Sequence, residues 1–123
     1  MKKLIHSLAA VLLIFLLAAC STTSHTGTSV NANELVVHYL DVGQGDSEIL
    51  QCGNQAMLID AGTNDSTNIL IQDIKDLDIT RFDIVIATHP HEDHIGGMDA
   101  VINQFDIGTV YMPDVTTTTV TFS

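Results

Sequence analysis

The sequence predicts a mixed α/β fold, one sheet with helices laid against it, in a chain of 123 residues. Three observations lead there. Short β-branched and aromatic runs recur, apolar residues fall at helical spacing in two places, and the order of elements is β-β-β-α-β-α-β. The length allows one domain, on a usual size of roughly 100–200 residues. Apolar residues make up 46% of the chain and charged residues 15%. That excludes an acidic disordered tail, which is poor in aliphatic residues.

The first element is an address label. Lys2 and Lys3 precede an unbroken apolar run from Leu8 to Ala19, which is shorter than the roughly 20 residues a membrane-spanning helix needs and suits an export signal. Leu17-Ala18-Ala19-Cys20 resembles the lipobox of bacterial lipoproteins. Residues 1–20 are therefore expected to be a signal peptide ending at a lipidated Cys20. Acyl chains there would tether the protein to the lipid bilayer, on the outer face of the bacterial cytoplasmic membrane. Ser21 to Asn33 is polar and aperiodic, a flexible Ser/Thr-rich tether in which His25 is a solvated linker residue. With Cys20 lipidated, Cys52 has no internal disulfide partner. It is read as a small half-buried residue beside a turn.

The domain proper is expected over 34–123. Leu35 to Leu40 is a strand ending at Asp41, and Val42-Gly43-Gln44-Gly45-Asp46-Ser47 is a glycine-punctuated loop. Glu48 to Cys52 and Gln55 to Asp60 flank Gly53-Asn54, a two-residue hairpin signal. Ala61 to Asp65 is a loop that closes on helix-capping residues. Leu70, Ile71, Ile74 and Leu77 mark an amphipathic helix over 66–77. Asp83 to Ala87 is a short buried strand, and Thr88 to Gly97 is a polar connection. Met98, Val101, Ile102 and Phe105 define a second helix face, and Ile107 to Met112 a last strand stopped by Pro113. Thr116 to Ser123 begins a further strand-like or loop-like stretch.

Charge narrows the function. The chain carries 4 Lys and Arg against 15 Asp and Glu, a net charge of −11. From Cys20 onward only Lys75 and Arg81 face all 15 acids, a balance of −13. Such a segment has no basic patch with which to hold nucleic acid electrostatically, and with no Trp it has little for base stacking.

Thr88-His89-Pro90-His91-Glu92-Asp93-His94-Ile95-Gly96-Gly97 carries the chemistry. Three imidazoles and two carboxylates lie within six residues, directly after a buried strand. A strand end fixes the backbone, and the turn that follows lets these side chains converge. Neutral imidazole offers a lone pair at neutral pH, and mixed nitrogen and oxygen donors suit Zn²⁺ first, with Mn²⁺ or Fe²⁺ compatible. A solvated loop with coincidental histidines is the bland alternative. The spacing His-x-His-x-Asp-His between a buried strand and a helix argues against it.

This stretch matches the T-H-x-H-x-D-H-x-G-G signature of the metallo-β-lactamase superfamily without a departure. Leu58-Ile59-Asp60-Ala61-Gly62 resembles the upstream Asp motif of the same superfamily. Val37 to Ser47 resembles the metallo-β-lactamase-like domain of ComEC-type competence proteins and their secreted relatives. The likeness runs from about Leu35 to Val115, nearly all of the chain after the tether. It implies an αββα sandwich and a metal-dependent hydrolase holding two divalent ions, Zn²⁺ favoured and Mn²⁺ compatible. His89 and His91 would bind the first ion, and Asp93 and His94 the second. Hydroxide activated by the cations would attack carbon or phosphorus. Asp93 would also handle the water proton, and Asp60 would orient a ligand from behind. Gln44 and Asp46 are candidate rim or substrate residues, a simple turn being the bland alternative for that loop. His38 is read as structural, Glu92 as pointing to solvent, and Thr88 and Asp41 as turn residues bonding backbone.

The superfamily takes its remaining ligands from later in the chain, and no His follows His94. The 123 residues are thus expected to represent the N-terminal half of the sandwich, with one sheet face left apolar and with little activity on their own. Phosphodiesters, nucleic acid included, are the favoured substrate class, in DNA uptake or processing. Two alternatives stay open: a thioester, lactam or phosphocholine-ester hydrolase on the same scaffold, and a non-catalytic surface lipoprotein binding metal or a partner. No protein partner is implied.

Overall fold

Three strands follow one another closely before the first helix intervenes. The computed structural model describes residues 30–115. The signal segment 1–20 with Cys20, His25 and most of the tether, and Thr116 to Ser123 lie outside the described residues. β1 (Val36–Tyr39) pairs antiparallel with β2 (Glu48–Cys52), which pairs antiparallel with β3 (Gln55–Ile59). The β2–β3 hairpin closes over Gly53-Asn54, with Gly53 at φ +58°, a conformation that side-chain-bearing residues rarely adopt.

Two crossovers then add parallel strands. A single 3₁₀ turn (Asn64–Ser66) opens α1 (Thr67–Asp76), whose Leu70, Ile71 and Ile74 are buried. Asp78 ends the helix in the left-handed region at φ +56°, its N–H donating to Lys75 O (2.9 Å) while Ile79 N–H reaches Ile74 O (3.4 Å). These paired bonds, with Ile74 and Ile79 both buried in the core, form a Schellman cap in which Asp replaces the usual glycine. β4 (Arg81–Ile86) lies parallel to β3. It starts two residues before the expected strand because Arg81 already pairs with Asp106. Its ladder with β3 begins only at Met57 and Ile84, since Asp83 Oδ2 accepts the Ala56 N–H (3.2 Å) that a backbone carbonyl would otherwise take.

The polar connection after β4 holds one helical turn that periodicity did not reveal, α2 (Glu92–Ile95). His94 and Ile95 both donate their N–H to His91 O, at 3.1 and 3.0 Å. α3 (Met98–Gln104) and β5 (Asp106–Tyr111) complete the order, and β5 is parallel to β4.

The result is a mixed five-stranded sheet in the order β1-β2-β3-β4-β5, with its helices on one face. Ile49, Leu58 and Val85 from the strands meet Leu70, Ile74 and Val101 from α1 and α3, all with no exposed surface. Phe82 and Phe105 close one end edge-on, their ring centroids 5.9 Å apart. One β layer and one α layer are thus present, which is half of an αββα sandwich. No helix among the described residues is long and apolar enough to cross a membrane.

Candidate metal centre

Parallel pairing brings the ends of β3 and β4 side by side, Ile59 opposite Ile86, so the residues that leave both strands share one corner. Asp60 leaves β3 at φ +57° and donates its N–H to Ile86 O (2.9 Å). That turn points its carboxylate at the segment following β4, where it is buried, at 2% exposure. Oδ1 accepts the Thr88 N–H at 2.8 Å. Oδ2 accepts the Thr88 hydroxyl at 2.5 Å and the His94 Nδ1–H at 2.8 Å. Three donors on one carboxylate satisfy its burial, and the bond to His94 leaves that ring's Nε2 as its lone-pair atom.

The three imidazoles are neighbours. His89 lies 3.9 Å from His94 and 4.7 Å from His91, centroid to centroid. Asp93 Oδ2 lies 3.9 Å from His94 Nε2. Among the described residues no three His, Cys, Asp or Glu side chains converge on one point able to hold an ion. The donors are assembled as neighbours and pairs.

The loop Val42 to Ser47 is stapled onto this corner through backbone. Asp46 N–H donates to Asp93 O (3.3 Å), Gly62 N–H to Asp46 O (3.0 Å) and Ala61 N–H to His94 O (2.7 Å). Gly45 is required here, since at φ +92° a Cβ would overlap the Asp93 carbonyl. Asp46, largely exposed, brings Oδ2 within 3.8 Å of His94 Nδ1. Gln44 is exposed and makes no hydrogen bond among the described residues. Asp41 Oδ1 accepts the Gly43 N–H at 3.4 Å, a local turn bond, and His38 Nε2 pairs with Gln51 Oε1 at 2.8 Å across β1 and β2.

Two expectations need correcting. Glu92 does not simply face solvent: its Oε1 accepts the Asn64 N–H at 2.6 Å and pins the 3₁₀ turn to the start of α2. Thr88 bonds the Asp60 side chain and not backbone carbonyls. Cys52 is half-buried, as expected, and its thiol donates to Ala32 O at 3.4 Å.

Sequence reading missed Glu48. It sits in an otherwise largely apolar cross-strand row and lines an open depression of about 450 Å³ with Tyr39, Asp46, Ile59 and His94. Burial, then repulsion from Asp46 and Asp60, raises its carboxyl above the ordinary glutamate value, against the opposing pull of His94. The available signal was the single acid among outward-facing apolar positions, visible only once the register was known.

A profile of the metallo-beta-lactamase superfamily matches residues 40–119. Ribonuclease J of Synechocystis sp. is 36% identical over 73 residues, covering 53% of this chain. Competence protein ComA of Neisseria gonorrhoeae is 30% identical over 79 residues, covering 63% of this chain. The aligned part spans 11% of the length of each relative.

Proposed function

The chain belongs to the metallo-beta-lactamase superfamily, and from that premise we propose that it carries part of the centre of a metal-dependent phosphodiesterase acting on nucleic acid. The observation that carries this reading is the meeting of three imidazoles and the Asp93 carboxylate beside a buried, fully bonded Asp60. The donor set fits a divalent cation in kind: borderline nitrogen and hard oxygen donors, with one imidazole already oriented by a carboxylate. His89 and His91 would hold one ion, and Asp93 and His94 the other. Zn²⁺, or Mn²⁺ in its place, would supply Lewis acidity and positive charge at an otherwise acidic surface.

The chain's own residues divide the remaining work. Asp60 holds the proton of His94 on Nδ1. Asp93, partly exposed, takes the proton of the attacking water on a carboxylate oxygen. Asp46 and Gln44 stand at the rim, where a substrate would enter. One of the similar proteins is named a ribonuclease and the other a competence protein, which supports a phosphodiester over a lactam or a thioester. Export through residues 1–20 and lipidation of Cys20 would place the centre outside the cytoplasmic membrane. Cys20→Ser would then release the protein from membranes in fractionation, and unchanged membrane association would contradict lipidation.

Two donors per cation is one fewer than catalytic zinc sites use. The 123 residues are therefore proposed to take up metal without sustained turnover, and activity is to be sought in a longer protein that bears them. Cleavage of single-stranded DNA with Mn²⁺, set against a thioester and a β-lactam with Zn²⁺, tests the substrate class. Turnover of the last two alone would contradict it. Donors standing in pairs, where catalytic zinc uses three, favour a second reading, a surface lipoprotein that binds metal or a partner without catalysis. DNA cleavage abolished by Asp93→Ala would exclude that reading.

A further inference from the structure

The Thr88 hydroxyl has one hydrogen and two partners. Oγ1 lies 2.5 Å from Asp60 Oδ2 and 3.0 Å from His89 Nδ1. The same Asp60 oxygen meets His94 Nδ1 at 2.8 Å, and Thr88 N–H occupies the other oxygen. A carboxylate oxygen is an acceptor, and three donors are directed at the two oxygens of Asp60. The Thr88 hydrogen therefore goes to Asp60. Its oxygen is left to accept from His89, which must then carry its own hydrogen on Nδ1. His94 is bound by the same logic directly.

We propose that Thr88 is a positioning residue, a hydroxyl relay that ties His89 to the carboxylate orienting His94, so that one buried acid sets the tautomer of two rings. Both rings then present Nε2 as the free lone pair. His91 is the built-in control. Its ring makes no hydrogen bond among the described residues and only packs edge-on against His89, so solvent sets its tautomer. The relay stands on hydrogen-bond geometry alone. Its consequence for metal rests on the metal-centre reading.

Long-range proton–nitrogen correlation NMR of the labelled chain, recorded above the ordinary histidine titration range, reads each ring separately. His89 and His94 are expected as the Nδ1–H form, and His91 as the Nε2–H form that free imidazole side chains prefer. Thr88 is exposed and keeps its backbone N–H in any variant, so Thr88→Val should fold. It is expected to convert His89 alone to the Nε2–H form, while Thr88→Ser restores the wild-type pattern. Zinc affinity by calorimetry should fall ~10–100-fold in Thr88→Val, the usual effect of losing a group behind a ligand, and recover in Thr88→Ser. His89 found as Nε2–H in the wild type, or unmoved by Thr88→Val, overturns the relay. Expected tautomers with no zinc uptake by the wild type would support the relay and overturn the metal-centre reading.

Discussion

The two faces of the sheet are built from similar residues and have opposite fates. On the helix side, the row His38-Ile49-Leu58-Val85-Val110 runs across all five strands, and its central three residues are fully buried under α1 and α3. On the other side, the rows Val37-Leu50-Met57-Ile84-Thr109 and Tyr39-Glu48-Ile59-Ile86-Tyr111 are nearly as apolar. There Val37 is 39% exposed, Tyr39 79% and Tyr111 57%. A strand covered on one face alternates apolar and polar residues, whereas one meant to be covered on both reads as continuously apolar. The second pattern holds here, so the composition of the open face is that of an interior. The candidate metal centre lies at the rim of this face, next to the depression that contains Glu48.

Truncating the closed face should cost most. Phe82→Ala removes a fully buried ring from its contact with Phe105 and is expected to cost about 3–5 kcal/mol, read from the urea midpoint. Val37→Thr on the open face should stay within about 0.5 kcal/mol. A loss at Val37 approaching that at Phe82 would break the contrast and show the open face to be covered in solution.

Asp60→Ala comes next. It leaves the Thr88 N–H, the Thr88 hydroxyl and His94 Nδ1–H without their acceptor, and is expected to cost about 1–3 kcal/mol. Asp46→Ala, at the exposed rim, should leave the midpoint almost unmoved. Equal effects would mean that the site corner is not organised around the buried acid.

Glu48→Gln sharpens the open-face side and should have the smallest effect. The fold raises the Glu48 pKa, so it favours the protonated form. The contribution of Glu48 to stability is whole below the ordinary glutamate value and is lost as pH rises through the raised one. The Gln variant should therefore melt above the parent at neutral pH, and the gap should close in acid. A gap that persists in acid would assign the effect to packing and not to charge.

Much of this fold was legible in the sequence because its signals are local. The strands around Gly53-Asn54 follow from alternation and a two-residue turn, and α1 from the spacing of Leu70, Ile71 and Ile74. The turn α2 was not legible, because Glu92 to Ile95 has no apolar period and forms on backbone bonds to His91. The site was legible as far as His89, His91, Asp93 and His94 stand together in sequence. What Thr88 and Glu92 do was hidden, since their partners Asp60 and Asn64 lie 28 residues away in both cases. Only the parallel pairing of β3 and β4 makes them neighbours.

Equilibrium dialysis against Zn²⁺ and Mn²⁺ tests the centre most directly, comparing the chain with a variant carrying His89→Ala, His91→Ala, Asp93→Ala and His94→Ala together. Saturable uptake by the parent and its loss in the variant is the expected result. Equal uptake by both proteins, or none by either, would contradict a divalent-cation centre at the ends of β3 and β4.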